Sequence, residues 1–318
     1  MNIDVFNGDA DGICALIQYR FAFPAKSTLV TGVKRDIQLL DRVSARQGDK
    51  INVFDISMQK NRKALEKLLN NGVSVFYVDH HISGEIPENP GLEAIIDTSP
   101  TICTSLLVDK YLNGQFRQWA IVAAFGDNMT NSANEAAKTL SLSDESVHKL
   151  KKLGISINYN GYGSSLDDLH FKPADLYLKM SAYKSPLDFI SDPDSCYKKL
   201  QAGYDDDIAK TESLKPEYLK GNTAVYKLPD KLWARRVSGV FGNMLANRFP
   251  DRAHAILSHH NEAGYVISVR APLNNLNYAG ELCSKFAGGG GRKGAAGINQ
   301  LAENELDKFI SQFQETYN

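Results

Sequence analysis

The sequence is short of the features that mark several common protein classes. No apolar run in its 318 residues approaches the roughly 20 needed to cross a bilayer, so no helical membrane span is expected. Four cysteines (Cys14, Cys103, Cys196 and Cys283) lie far apart with no C-x-x-C pair, which argues against both a zinc knuckle and a disulfide framework. A basic region followed by an apolar core is missing from the N-terminus, where Asp4, Asp9 and Asp11 occur instead, so a secretory signal is not expected. These absences point to the cytoplasm. Excess charge of either sign is also lacking: the net charge is -1, which gives no global attraction to polyanions. With 43% hydrophobic and 23% charged residues the chain reads as an ordinary globular protein, long enough for two domains.

What is present is a βαβ rhythm. Short runs rich in β-branched and aromatic residues (3–6, 28–33, 51–54, 73–78 and 94–96) alternate with helix-like stretches at 12–21 and 58–70. Runs that are apolar throughout suit strands covered on both faces, so the expected fold is α/β, a doubly wound and mainly parallel sheet. In such sheets ligands sit beyond the carboxyl ends of the strands. Asp9, Asp11, Asp55 and Asp79 each follow a predicted strand and are expected at one edge. A buried helix over 119–125, ending at Gly126, would deliver Asp127 to the same region.

Val78-Asp79-His80-His81 is the densest chemical signal, placing an acid and two imidazoles at a strand end. A single Asp at such a position is often a helix cap or turn former. Two adjacent buried imidazoles seldom serve packing alone, because each needs polar partners. Carboxylates with imidazole form a hard O/N ligand set suited to Mn²⁺ or Mg²⁺. Two such ions about 3.5 to 4 Å apart can share a carboxylate and stabilise a phosphoryl displacement. Phosphoester hydrolysis is the natural reaction, with Asp55 the candidate bridge.

Asn7-Gly8-Asp9-Ala10-Asp11-Gly12, Asp55, Asp79-His80-His81 and Asp127, in that order, resemble the motifs of the DHH phosphoesterase superfamily. Ser268-Val269-Arg270 and the stretch from Gly289 to Gly297 likewise resemble its associated substrate-binding domain. The resemblance implies two Mn²⁺ ions, with Mg²⁺ or Co²⁺ as substitutes. One would be held by Asp9 and Asp55, the other by Asp11, Asp55, His80 and Asp127, and a hydroxide shared between them would attack phosphorus. It further implies that Asp79 orients His80 and that His81 contacts the phosphoryl oxygens. Arg270, Gly289, Gly290, Gly291, Arg292 and Lys293 would bind substrate. Two departures stand out. Asn7 replaces a histidine ligand with a neutral, weaker amide oxygen. Arg292 replaces a histidine after the glycines, offering a permanent fork for phosphate or a guanine edge.

The expected organisation is a catalytic metal-binding domain over 1–157, a connector or cap over 158–221, and a smaller α/β substrate-binding domain over 222–318, with the catalytic cleft between the two domains. The stretch from Asn158 to Asp230 carries five prolines (Pro173, Pro186, Pro193, Pro216 and Pro229) and reads as an irregular cap and connector. From Lys231 to Gln300, nine Lys or Arg stand against three acids, a local net of +6 suited to an anionic substrate. His170 reads as a core or surface residue, and Arg235 and Arg236 as a solvated helix face. The expected activity is Mn²⁺-dependent hydrolysis of short oligonucleotides or linear dinucleotides of the pGpG or pApA type to mononucleotides. Alternatives are a 3'-phosphoadenosine 5'-phosphate phosphatase, a polyphosphate or pyrophosphate hydrolase, and a nucleotide-binding sensor of weak activity. A homodimer is compatible with the sequence, though no residue requires one; no membrane partner is expected.

Overall fold

Strand runs that are mostly apolar can bury both faces, and three of the five strands in the first sheet do so here. The structure is a computed structural model that describes residues 1–260 and 263–318. Glu262, one of the three acids counted above, lies outside the described residues. The strands β1 (Asn2–Phe6), β2 (Thr28–Val30), β3 (Lys50–Phe54), β4 (Ser74–Asp79) and β5 (Leu92–Ile96) form a sheet in the order β2-β1-β3-β4-β5. Every pairing in it is parallel. The helix α1 (Ala10–Ala22) links β1 to β2, and α2 (Met58–Asn70) links β3 to β4. Phe6, Phe54, Phe76 and Val78 pack into the core on the α1 side, while Val5, Val53, Val75 and Tyr77 pack into that on the α2 side.

The α1 side is thickened by α3 (Thr104–Tyr111), α4 (Arg117–Gly126), α5 (Thr130–Lys138) and α6 (Asp144–Gly161). Three further helices follow: α7 (Pro173–Met180), α8 (Pro186–Ser191) and α9 (Tyr197–Ala209). The irregular connector expected here is thus largely helical. Pro173 and Pro186 occupy the first helical positions, where a missing N–H costs nothing, so they start helices rather than break them.

The chain divides into two compact units, residues 1–161 with 165–202, and residues 162–164 with 203–318. The second unit contains β6 (Tyr218–Lys220), β7 (Thr223–Lys227), α10 (Leu232–Arg248), β8 (Ala253–His259), β9 (Tyr265–Arg270), α11 (Ala279–Ser284), β10 (Gly289–Gly291), β11 (Ala295–Leu301) and α12 (Leu306–Tyr317). Its mixed sheet runs β10-β11-β9-β8-β7-β6, with only the β7–β8 pairing parallel. Val225, Leu257, Ile267, Phe309 and Phe313 are buried in one core there. The glycine run forms an edge strand, β10, paired with β11. Gly289 packs so closely on the Cys283 carbonyl that a Cβ would collide with it, whereas a Cβ on Gly290 would meet open space.

Candidate metal centre

In the order β2-β1-β3-β4-β5 the connections from β1 and β3 leave in opposite directions, and the crevice at that switch point is where such sheets bind ligands. Asp9 stands at the carboxyl end of β1 and Asp55 at that of β3. Asp9 caps α1, its carboxylate accepting the Asp11 and Gly12 amides at 3.0 and 3.1 Å. Asp11 is pinned by the first turn of α3, accepting from Thr104 N–H at 2.8 Å and Ser105 N–H at 2.7 Å. Asp55 takes φ +59°, a conformation costly for a residue with a Cβ, which places it at the strand end with its amide bonded to the Val78 carbonyl. Asp127 follows α4 as its C-cap.

His80 ties these residues together. Its Nε2 lies 3.3 Å from Asp55 Oδ1 and 3.8 Å from both Asp11 Oδ2 and Asp127 Oδ2. Its Nδ1 faces the Ile102 carbonyl at 3.0 Å, and a carbonyl only accepts, so Nδ1 carries a proton and Nε2 is the nitrogen turned to the carboxylates. That orientation makes Nε2 the atom a metal would take. Asp79 does not orient His80, as the family resemblance implied; its Oδ1 pairs with His81 Nδ1 at 2.7 Å. A strand-end acid followed by two histidines can serve only the ring that turns back to it, and β4 turns His80 inward.

Burial, then the charges of Asp9 and Asp11, pushes the Asp55 carboxyl well above its usual range. Burial and the Asp127 charge likewise push Asp11 up. For Asp79 burial also acts upward, but the charge and hydrogen bond of His81 prevail and hold it below the usual value. A buried group of carboxylates whose charges raise one another is a site for a cation. Two ligand groupings come within range of an ion, Asp11 with His80 and Asp127, and Asp55 with His80 and His81. The residues of each grouping fit a hard divalent ion, and the two groupings share His80.

Around Asp9 the fit is different. Lys34 Nζ contacts Asp9 Oδ2 and lies 3.0 Å from Asn158 Oδ1 and 3.3 Å from Asp127 Oδ1. Asn7 Nδ2 donates to the Lys34 carbonyl at 3.2 Å, and its buried Oδ1 has no hydrogen-bond partner among the described residues. Neither Lys34 nor Asn158 was found from the sequence. For Lys34 a signal existed: Lys34-Arg35 follows directly on a predicted strand, as the aspartates do. Asn158 lies inside α6, where nothing local distinguishes it.

In the second unit Arg270 donates to Asn243 at 2.6 Å, to Ser268 at 3.0 Å, to the Val269 carbonyl at 3.1 Å and to the Gly239 carbonyl at 3.3 Å, so it fastens β9 to α10. Arg292 N–H bonds the Ala295 carbonyl at 2.8 Å beside the exposed Lys293, where β10 turns into β11. Arg236, read as part of a solvated face, instead pairs with the buried Asp207 at 2.7 Å through Nε and Nη2. His170 bonds the Tyr159 hydroxyl at 2.8 Å.

No family model matches this sequence, and no curated protein does. Solved structures do match. The DHH domain of a member of the s1p family of ribosomal proteins is 16% identical, with a TM-score of 0.64 over 99% of this chain and 86% of that one. RecJ from Thermus thermophilus, in complex with Mn²⁺, is 17% identical, with a TM-score of 0.57 over 99% of this chain and 52% of that one. A pGpG-specific phosphodiesterase, PggH from Vibrio cholerae, is 13% identical, with a TM-score of 0.53 over 100% and 98%. At these identities the likeness establishes the fold: this chain has the architecture of DHH-domain proteins.

Proposed function

We propose that the protein is a metal-dependent phosphoesterase that cleaves short oligonucleotides or linear dinucleotides to mononucleotides. The observation that carries this reading is His80 Nε2 facing Asp11, Asp55 and Asp127 at 3.3 to 3.8 Å, at the switch point of a parallel sheet. Asp11, Asp55, His80 and Asp127 would hold the ion, with Mn²⁺ favoured by the hard ligand set and by the manganese in the RecJ structure of like fold. When bound, such an ion polarises the phosphoryl group and makes water a nucleophile near neutral pH. His81 is the solvent-facing imidazole, its side chain 33% exposed. Asp79, held ionised, accepts from His81 Nδ1 and orients the ring, so that an Nε2–H would be the group that donates to a phosphoryl oxygen. Gly290, Arg292 and Lys293 are proposed as phosphate-binding residues, since the open flank of Gly290 lets backbone approach an anion. The dinucleotide substrate is supported by the full-length likeness to a pGpG-specific phosphodiesterase.

Metal-stripped protein incubated with pGpG, pApA, a pentaribonucleotide and 3'-phosphoadenosine 5'-phosphate, with and without Mn²⁺, tests the reading by chromatography of products. Manganese-stimulated release of mononucleotides from the dinucleotides is expected, and is lost in His80→Ala. Release of a terminal phosphate alone would replace the diesterase with a monoesterase. Binding without turnover would make the protein a nucleotide sensor.

A further inference from the structure

We propose that Lys34 takes the place of one of the two ions the motifs imply: the centre holds one divalent cation, at Asp11, Asp55, His80 and Asp127, and the Lys34 ammonium supplies the second positive charge beside Asp9. This rests on the metal-dependent reading above and changes its stoichiometry.

Lys34 is seated rather than swinging at the surface. Its side chain is 23% exposed and its Nζ touches Asp9, with Asn158 Oδ1 at 3.0 Å and Asp127 Oδ1 at 3.3 Å. The backbone that carries it is tied down from both sides, by Lys34 N–H to the Gly161 carbonyl at 2.8 Å and by Asn7 Nδ2 to the Lys34 carbonyl at 3.2 Å. Gly8 packs directly on the Gly32 carbonyl, where a Cβ would collide, so the Lys34 loop is built onto the Asp9 loop. An ammonium and a divalent ion that claim the same Asp9 carboxylate exclude one another by charge and by space.

The ligand chemistry agrees. Without Lys34, an ion beside Asp9 would have Asp9, a share of Asp55, and the neutral Asn7 Oδ1, which is a poor set for a hard cation that prefers six or more oxygens. The other position is richer, with carboxylates of Asp55, Asp11 and Asp127 at 3.3, 3.8 and 3.8 Å from His80 Nε2. Asn7 and Lys34 therefore read as one paired change: the neutral amide gives up a ligand and also holds the backbone of the lysine that replaces the ion. A lysine charge is a permanent point charge with three donors, able to meet a phosphoryl oxygen without metal loading.

Manganese stoichiometry decides this. Chelator-stripped parent protein, Lys34→Met and Lys34→Arg would be titrated with MnCl₂ by calorimetry, and the bound ion examined by electron paramagnetic resonance. The parent and Lys34→Arg are expected to bind one ion with the hyperfine pattern of an isolated Mn²⁺. Lys34→Met combined with Asn7→His is expected to bind a second ion and show exchange coupling. Two tightly bound, coupled ions in the parent would overturn the assignment to Lys34 while leaving the metal centre standing. A second ion that fails to appear in the folded double variant would overturn it too. No bound manganese in the parent would remove the metal-dependent reading itself.

Discussion

Asp4 and Asp9 lie on and just beyond the same strand, both are buried, and only their partners separate structure from chemistry. The Asp4 carboxylate is consumed by Arg20 Nε at 2.7 Å and Nη2 at 2.6 Å, Ser27 Oγ at 2.6 Å and Asn52 Nδ2 at 2.8 Å. Nothing is left over for a ligand. Asp4→Ala leaves the largely buried Arg20 and Asn52 donors unmatched and is expected to cost about 3 to 5 kcal/mol in urea unfolding. A cost below about 1 kcal/mol would show that water satisfies them. For the site residues the expectation runs the other way: His81→Ala removes a partner for developing charge and is expected to lower kcat roughly 100- to 1,000-fold with little change in the unfolding midpoint. Asp9, Asp11, Asp55 and His80 were legible because residues that follow the strands of a parallel sheet converge at one edge, and Asp127 because a buried helix ends just before it. Lys34 was not, since a lysine beside an arginine after a strand is ordinarily a solvated pair, and only its contact with Asp9 separates the two cases.

Secondary-structure elements carry two further expectations. In the edge strand β10, Gly289 and Gly290 are indistinguishable by sequence yet differ in surroundings. Gly289→Ala is expected to lower the thermal midpoint, because the Cys283 carbonyl is backbone and cannot move aside. Gly290→Ala should fold as the parent does and raise KM for dinucleotide if this strand approaches phosphate; an unchanged KM would remove the strand from the substrate site. In β8, His254 is fully buried with neither ring nitrogen hydrogen-bonded among the described residues. Burial, helped by Arg252, lowers its pKa from 6.5 to about 4. The unfolded chain therefore takes up a proton before the folded one does. Stability from this residue is complete above pH 6.5 and is lost as pH falls towards about 4, by roughly 3 kcal/mol in all. His254→Leu should flatten urea midpoints across that window; a slope matching the parent's would place the acid sensitivity elsewhere. The strand ends and helix faces of the first unit follow from apolar periodicity, but the helices at 173–180 and 186–191 do not, because a proline reads the same as a breaker and as a first helical residue.

For the molecule as a whole, an ion that binds only the folded state must stabilise it. Mn²⁺ at about 100 times its Kd is expected to add about 2.7 kcal/mol to unfolding, reversed by chelator and absent in His80→Ala. No helix among the described residues is long and apolar enough to cross a membrane. The sequence by itself determined the parallel sheet of the first unit, because strands apolar on both faces have to be covered on both, and it determined the set of carboxylates and histidines at their carboxyl ends, because strand direction carries those ends to one edge. Tertiary structure decided which imidazole each acid holds: the turn after β4 sends His80 to the Ile102 carbonyl and His81 to Asp79. It decided as well that Arg270 is spent on α10 and that Lys34 enters the cluster. Side-chain partners far apart in the chain are set by packing between elements, and neither local propensity nor spacing encodes that.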